Sequence, residues 1–461
     1  MGGLLGTLQI GKRGVMTHRY GMDIVAHNIS NAKTEGYSRQ RVNLTAAKSA
    51  IIHNQRVGQG VEVLDVERLR DNLIDRQVRY TKSNLGYNET KAYYRSKIEG
   101  LFPEPSDYGL QAYFGNFFSE LRNVTNNPQD LAVRNTFMQS AVTLASGFQS
   151  TADNVFQLQE DLTKDVTEKI GTVNEILKDV HELNTLISIE QGAQMAANDL
   201  LDKRDVKLDE LSQYLNIQIV HLNDGVAQVS TSGMALVSKN SVQELSKSSV
   251  LRDGKEINII QVDKTKQEVP ISSGQLLGAV EVLNNDIPSV QEQLNTLANT
   301  FITEINQLHA ASYTLRTPSQ AEFTGVELFA GNTAGSISVN PNVQNDVTRI
   351  SISSNGDPGD SEGGLSLLNL ETAPLIENKY SINQYYGFLV SEVGLNTNNS
   401  TVAAEGNVVS LATFEGDRDS VTGVSVDEEL TELIQVQRAF QASSKIISTV
   451  DKLLENIINF I

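Results

Sequence analysis

Both ends of this chain carry a narrow apolar stripe repeating every three and four residues, a constraint stronger than any other in the sequence. Near the N-terminus the stripe is Leu4, Leu8, Gly11, Val15, His18, Met22, Val25 and Ile29. Near the C-terminus it is Leu433, Val436, Phe440, Ser443, Ile447, Val450, Leu454, Ile457 and Ile461. A repeat of about 3.5 residues places one seam on one face of a helix, and such a seam is stable only against a partner helix. Chain termini are ordinarily frayed and polar. Termini that carry seams are built for assembly, so the sequence points to a function in polymerisation.

Charge sharpens this expectation. Residues 1–41 hold Lys12, Arg13, Arg19, Lys33, Arg39 and Arg41 against Asp23 and Glu35, whereas residues 426–461 are rich in Asp and Glu. A basic end and an acidic end favour pairing with each other, within or between subunits. The whole chain has a formal net charge of -19. That argues against a nucleic-acid binder, which needs a basic face to meet phosphates, so no nucleic-acid partner is expected. The chain has no Cys, which removes disulfides, thiolate chemistry and Cys-based zinc sites. It has no apolar run of membrane-spanning length and no secretory signal pattern at its N-terminus, so neither membrane insertion nor a cleaved signal peptide is expected.

Between the ends the pattern is mainly helical. A helix is predicted from about Val66 to Ile98, with Tyr80, Tyr87 and Tyr94 on one side, stopped by Pro103 and Pro105. A short helix carries Leu110, Phe114, Phe117 and Leu121. A very long one covers roughly Leu131 to Ile189 and would reach ~90 Å at 1.5 Å per residue. Residues 216–272 change to β-rich runs around Asn223-Asp224-Gly225 and Asp253-Gly254, both hairpin signals. Helical periodicity returns from Leu276 to Leu308, with a break expected near Pro288. Residues 316–374 are Gly-, Asn-, Ser- and Pro-rich, with strand candidates at Ile337 to Val339 and Arg349 to Ser353. A last helical pattern runs from about Tyr380 to Asp419.

The expected fold class is therefore mainly α with β insertions: paired N- and C-terminal helices in a coiled-coil inner domain, a long antiparallel helical bundle, and outward β-rich parts. In residue terms the division is 1–65 with 421–461 for assembly, 66–215 with 273–315 and 375–420 for the bundle, and 216–272 and 316–374 as insertions. The seam residues expected to carry assembly are Leu4, Leu8, Val15, Met22, Val25 and Ile29 at one end. At the other they are Leu433, Val436, Phe440, Ile447, Val450, Leu454 and Ile457.

Catalytic motifs are lacking. Gly6 to Arg13 has the glycine and lysine spacing of a phosphate-binding loop, but Arg13 stands where Ser or Thr would hold magnesium, and no strand precedes it. Small residues at a crowded helix seam explain it better. Gly58-Gln59-Gly60 reads as a turn, and the acidic run Asp357 to Glu362 as a solvated loop without calcium-ligand spacing. No enzyme activity, metal or cofactor is expected.

The run Asp23 to Gln40, containing Asn28-Ile29-Ser30-Asn31 and then Gly36-Tyr37-Ser38-Arg39-Gln40, resembles the N-terminal signature of the bacterial flagellar rod, hook and hook-associated axial proteins. Asn28, Ile29, Asn31, Gly36 and Tyr37 carry that signature; Glu35 stands where the family commonly has proline. Val424 to Leu430 and Gln435 to Ser443 are similar to the family's other end. Within the family, Gly-Tyr-Ser-Arg-Gln, the Val424 to Glu429 run and the long helices before the first β insertion resemble the hook-associated members at the hook–filament junction. The resemblance implies an extracellular structural subunit, exported unfolded through the flagellar type III export gate and assembled into a ring around a channel. Its implied partners are further copies of itself, hook protein, hook-associated protein 3 and a flagellar export chaperone. It also implies that the seams are unpaired and disordered in a free subunit. Hook-associated protein 3, hook protein, or a secreted type III coiled-coil adhesin or translocator are the alternatives.

Overall fold

The computed structural model describes residues 2–52, 55–316 and 323–459. The chain opens with helix α1 (Gly2–Asn31) and a β-ribbon of β1 (Gln40–Ala46), β2 (Ala50–Ile52), β3 (Gln55–Val57) and β4 (Val61–Arg68), in which β1 pairs with β4 and β2 with β3, all antiparallel. Helices α2 (Asn72–Glu99), α3 (Leu110–Asn126), α4 (Leu131–Gly192) and α5 (Asn198–Tyr214) follow. Asp71 and Asp130 cap α2 and α4 by accepting the first free backbone N–H groups. The 62 residues of α4 span ~90 Å.

The first insertion holds a three-stranded sheet, β5 (Gln218–His221), β6 (Ala227–Thr231) and β7 (Met234–Val237), then a hairpin of β8 (Leu245–Arg252) and β9 (Lys255–Val262). The β8–β9 turn places Asp253 and Gly254 at positive φ, as a tight hairpin requires. Helix α6 (Gln275–Glu281) passes through a π-helical turn, Val282–Asp286, into α7 (Ile287–Ala311). The second insertion has only the short strands β10 (Phe329–Ala330) and β11 (Ser338–Val339) and the small helices α8 (Pro341–Asn345) and α9 (Glu362–Asn369). Helix α10 (Ile382–Thr422), started by a Ser381–Gln384 capping box, leads into α11 (Val426–Asn459).

The bundle is antiparallel. Along α2 and α10, Lys82 meets Glu415 while Arg95 meets Ser400. Along α4 and α5, Asp179 meets Lys207 while Asn184 meets Arg204. The core is aromatic where α3, α4 and α7 converge: Phe114 packs edge-on against Phe148 and Phe301, both at 5.5 Å between centroids.

Four local expectations fail. Val66 lies in β4, so α2 starts six residues later than expected. Asn43 pairs with Asp65 but Leu44 with Val63, which leaves Leu64 as an extra, bulged residue. Pro288 does not break its helix. The π turn has already shifted the ladder, with Ile287 N–H donating to Val282 O, and it absorbs the missing donor. Tyr80, Tyr87 and Tyr94 do not form one seam: Tyr94 is buried but Tyr80 is 67% exposed. In the second insertion, Val347–Arg349 is a 3-10 turn, and only Ser353 of that strand candidate bridges, to Tyr313.

Candidate assembly interface

Helices α1 and α11 lie side by side and antiparallel. A Cβ placed on Gly11 would stand 2.9 Å from Ile447 Cγ1, one on Gly14 2.6 Å from Ser443 Oγ, and one on Gly21 3.2 Å from Val436 Cγ1. Farther along, Asn28 meets Glu429. Facing positions thus fall from 447 to 429 as those on α1 rise from 11 to 28. Gly11 is a contact point of this pair, which disposes of the phosphate-loop resemblance. Gly60, at positive φ, packs against Ile10, so the second glycine motif is a turn resting on α1.

The seam residues occupy this pair unevenly. Val25 and Val450 are buried. Leu4, Leu8, Val15, Met22 and Ile29 on α1 are half-buried, as are Leu433, Val436, Phe440, Ile447 and Leu454 on α11, whereas Ile457 is exposed. Ile461 lies outside the described residues. Within the chain the two seams meet each other. A two-helix layer has no third layer to cover its outer faces, and large apolar groups remain there. These are Leu5, Met16 and Tyr20 on α1, and Val426, Leu430, Ile434, Ile446, Leu453, Ile457 and Ile458 on α11. Exposed apolar surface of this extent makes these faces a candidate interaction surface.

At the base of the pair, the signature residues build one hydrogen-bonded joint. The buried Asn28 amide accepts from Tyr37 OH at 2.7 Å and from Gln40 N–H at 3.0 Å. It donates to Gln40 O at 2.9 Å and to Glu429 Oε2 at 3.0 Å. All four of its bonding positions are used. Arg39 completes the link to α11, with Nε 2.7 Å from Glu429 Oε1 and a second bond to Glu428. This is where the basic end meets the acidic end. His27 Nδ1 sits 3.0 Å from the Tyr37 hydroxyl, with the rings edge-to-face. Burial, and then the carboxylates of Asp199, Asp202 and Glu429, hold the Tyr37 pKa well above its usual value, so it remains a donor. Asn31 bonds back to His27 O at the end of α1. Gly36 has φ +75°, and a Cβ there would stand 2.1 Å from Val206 Cγ2 on α5. Only glycine fits both demands.

A second set of residues fixes this joint to the bundle. Helix α5 presents Asp199, Asp202, Asp205 and Asp209 on one face. Asp202 accepts from Ser38 N–H and Oγ at 3.0 and 2.7 Å and from Arg68 at 2.7 Å. Asp205 takes Arg68 at 2.9 Å, Arg70 at 2.8 Å and Arg79 at 3.2 Å. Asp209 takes Arg79 at 2.7 Å and Arg418 at 2.5 Å. Burial raises the Asp205 pKa, but Arg70, Arg68 and Arg79 outweigh it and leave it at about 2. Ion pairs this buried fix geometry more than they add net stability. The clasp ties the segment between α1 and α2 to α5 of the bundle. It was not singled out from sequence, although the aspartates recur at three- and four-residue steps, the spacing of one helix face.

In the acidic loop the polar groups bond one another. Asp360 of the acidic loop accepts from the loop's own Ser353, Ser354 and Asn355. Among the described residues, no group of three or more His, Asp and Glu side chains could hold a metal ion, and no helix is long and apolar enough to cross a membrane.

Two family models match the chain: flagellar hook-associated protein FlgK helical domain over residues 95–329, and flagellar basal body rod FlgEFG protein C-terminal over residues 419–460. The chain is 27% identical over 495 residues to flagellar hook-associated protein 1 of Bacillus subtilis (strain 168), covering 98% of this chain and 97% of that protein. It is 23% identical over 530 residues to flagellar hook-associated protein 1 of Escherichia coli (strain K12), covering 95% and 96%. Its fold is similar to the structure of the flagellar hook junction protein FlgK from Burkholderia pseudomallei, with a TM-score of 0.65 at 14% identity over 75% of this chain and 100% of that one.

Proposed function

Because the chain belongs to the flagellar hook-associated protein FlgK family, we propose that its clasped terminal helices are the part that polymerises, with the bundle carried outside them. The protein is a structural, non-enzymatic subunit of the flagellum with its role at the hook–filament junction. On this reading, residues 1–65 and 421–461 form the assembly domain, and 216–272 and 316–374 are outward insertions on the bundle. The seam residues, from Leu4 to Ile29 and from Leu433 to Ile457, hold α1 and α11 together so that the remaining apolar faces meet neighbouring copies in a ring or short helix. Hook protein on one side and hook-associated protein 3 on the other are its axial neighbours. Export proceeds through the type III export gate without a cleaved signal, with a chaperone covering the C-terminal helix.

The observation that carries this reading is the antiparallel α1–α11 pair with large apolar groups on its outward faces. The test is deletion of the gene in its host and complementation with the parent sequence or Phe440→Asp, followed by electron microscopy of the cell surface. Hooks without filaments, with flagellin shed into the medium, are expected for the deletion and for Phe440→Asp, while the parent restores filaments. Intact filaments in the deletion strain would sink the junction role, and missing hooks would move the protein to the rod or hook.

A further inference from the structure

Helix α10 is apolar on two opposite sides. One side, with Leu389, Val393 and Ala404, is buried in the bundle. The other carries Phe388, Leu395, Val402 and Val409 at steps of seven, exposed by 44%, 60%, 58% and 68%. Gly406 stands in this outer stripe, and among the described residues nothing beyond its own helix backbone and chain neighbours lies within 4 Å of where its Cβ would be. An exposed glycine inside a long helix weakens that helix, and nothing within the chain requires it here. A second helix lying close against the stripe would require it.

Charge selects the occupant. From Ile382 to Asp417, α10 has no Lys or Arg and carries Glu392, Glu405, Glu415 and Asp417. Glu405 and Asp417 are exposed beside the stripe. In a chain of net charge -19, residues 1–22 contain no acidic residue at all, but do contain Lys12, Arg13 and Arg19. The outward face of α1 carries Leu5, Lys12, Met16, Arg19 and Tyr20, all exposed. Leu395 to Val409 and Leu5 to Tyr20 are each about 21 to 22 Å long at 1.5 Å per residue. From the match in length, apolarity and charge, we infer that the outer stripe of α10 takes the outward face of α1 from a second copy of this chain. The inference rests on the assembly reading above and names the surface it uses.

The absence of native Cys makes cross-linking a direct test. Leu5→Cys or Met16→Cys in one copy would be mixed with Leu395→Cys, Val402→Cys or Val409→Cys in another, and oxidised under conditions in which the parent sediments as an oligomer. Disulfides between α1 and α10 positions of different copies are expected, and Val402→Asp is expected to lose assembly while keeping the helical circular dichroism of the parent. Lys12→Glu combined with Glu405→Lys should assemble better than either single change. Oligomers of the parent's size without disulfides between α1 and α10 positions, or normal assembly by Val402→Asp, would overturn this interface and leave the assembly reading standing. A parent that sediments only as a monomer and forms no disulfides between copies would overturn both.

Discussion

Replacing Asn28 with alanine removes the side chain on which the terminal joint turns. Its amide pairs with both peptide groups of Gln40, as a neighbouring strand would, while also holding Tyr37 and Glu429. Truncation leaves a hydroxyl, an N–H, a carbonyl and one carboxylate oxygen without this partner. Three neutral bonds at roughly 1 kcal/mol each and one to a charged group at about 2 give about 5 kcal/mol. Water reaching the partly buried Tyr37 reduces this to about 4 kcal/mol, roughly a thousandfold in the local opening constant. Native-state amide hydrogen exchange reads that constant directly. The last turn of α1, the start of β1 and the first turn of α11 should exchange faster by this factor, while amides in the middle of α4 keep their protection. Less than a tenfold change in those three segments would refute the reasoning and make the joint a consequence of α1–α11 packing instead of its cause.

Gly36→Ala combines a left-handed backbone with a Cβ aimed at Val206, so a loss of at least about 2 kcal/mol is expected in a denaturant titration of the terminal domain. Unchanged stability would mean that the signature turn can move away from α5. His309 is fully buried: its Nε2 accepts the Ser351 N–H at 2.9 Å, so its Nδ1–H donates to Val326 O. Burial, outweighing the bond to Val326 and helped by Arg134, lowers its pKa to about 4. Its neutral form is the folded form, so this stabilisation is complete above pH about 6.5 and is lost as pH falls through 4. The contribution is about 3 kcal/mol. The thermal midpoint of the second insertion should fall across that window, and His309→Gln should flatten the slope. An equal slope in the variant would assign the pH dependence elsewhere.

The seams were legible because a helix face repeats in the sequence whatever it later touches. The same holds for α4, whose inward side from Phe137 to Ile187 follows its spacing. Strand β4 was not legible, because the bulge at Leu64 breaks the alternation of Val61, Val63 and Val66. Helix α10 hid its outer stripe because apolar residues on opposite sides cancel any amphipathic signal. Asn28, Gly36 and Tyr37 could be picked from a resemblance, but their joint needs Glu429 and Val206. The clasp needs Arg68, Arg70, Arg79 and Arg418, which local spacing cannot bring together. Pro288 misled because a proline usually ends a helix, and the turn that tolerates it is set by packing around Asn284 and Asp286, which bond Asn258 and Arg95.

The hydrogen bond from Arg39 N–H to Thr422 O, 2.9 Å long, bears on the order in which this chain folds. Asn28 and Glu429 are 401 residues apart, and joining such distant points in an unfolded chain costs about 5 kcal/mol in loop-closure entropy beyond a constant. Once α2, α5 and α10 have met, the chain enters and leaves the bundle at adjacent points, held there by Arg39 and Thr422. The ends then need to close only a short gap. Loop-closure entropy therefore favours an order in which the bundle forms first and the terminal helices zip last, outward from Asn28 and Glu429 toward their free tips. Whatever meets this subunit during that interval finds a finished body carrying two adjacent, still open helices.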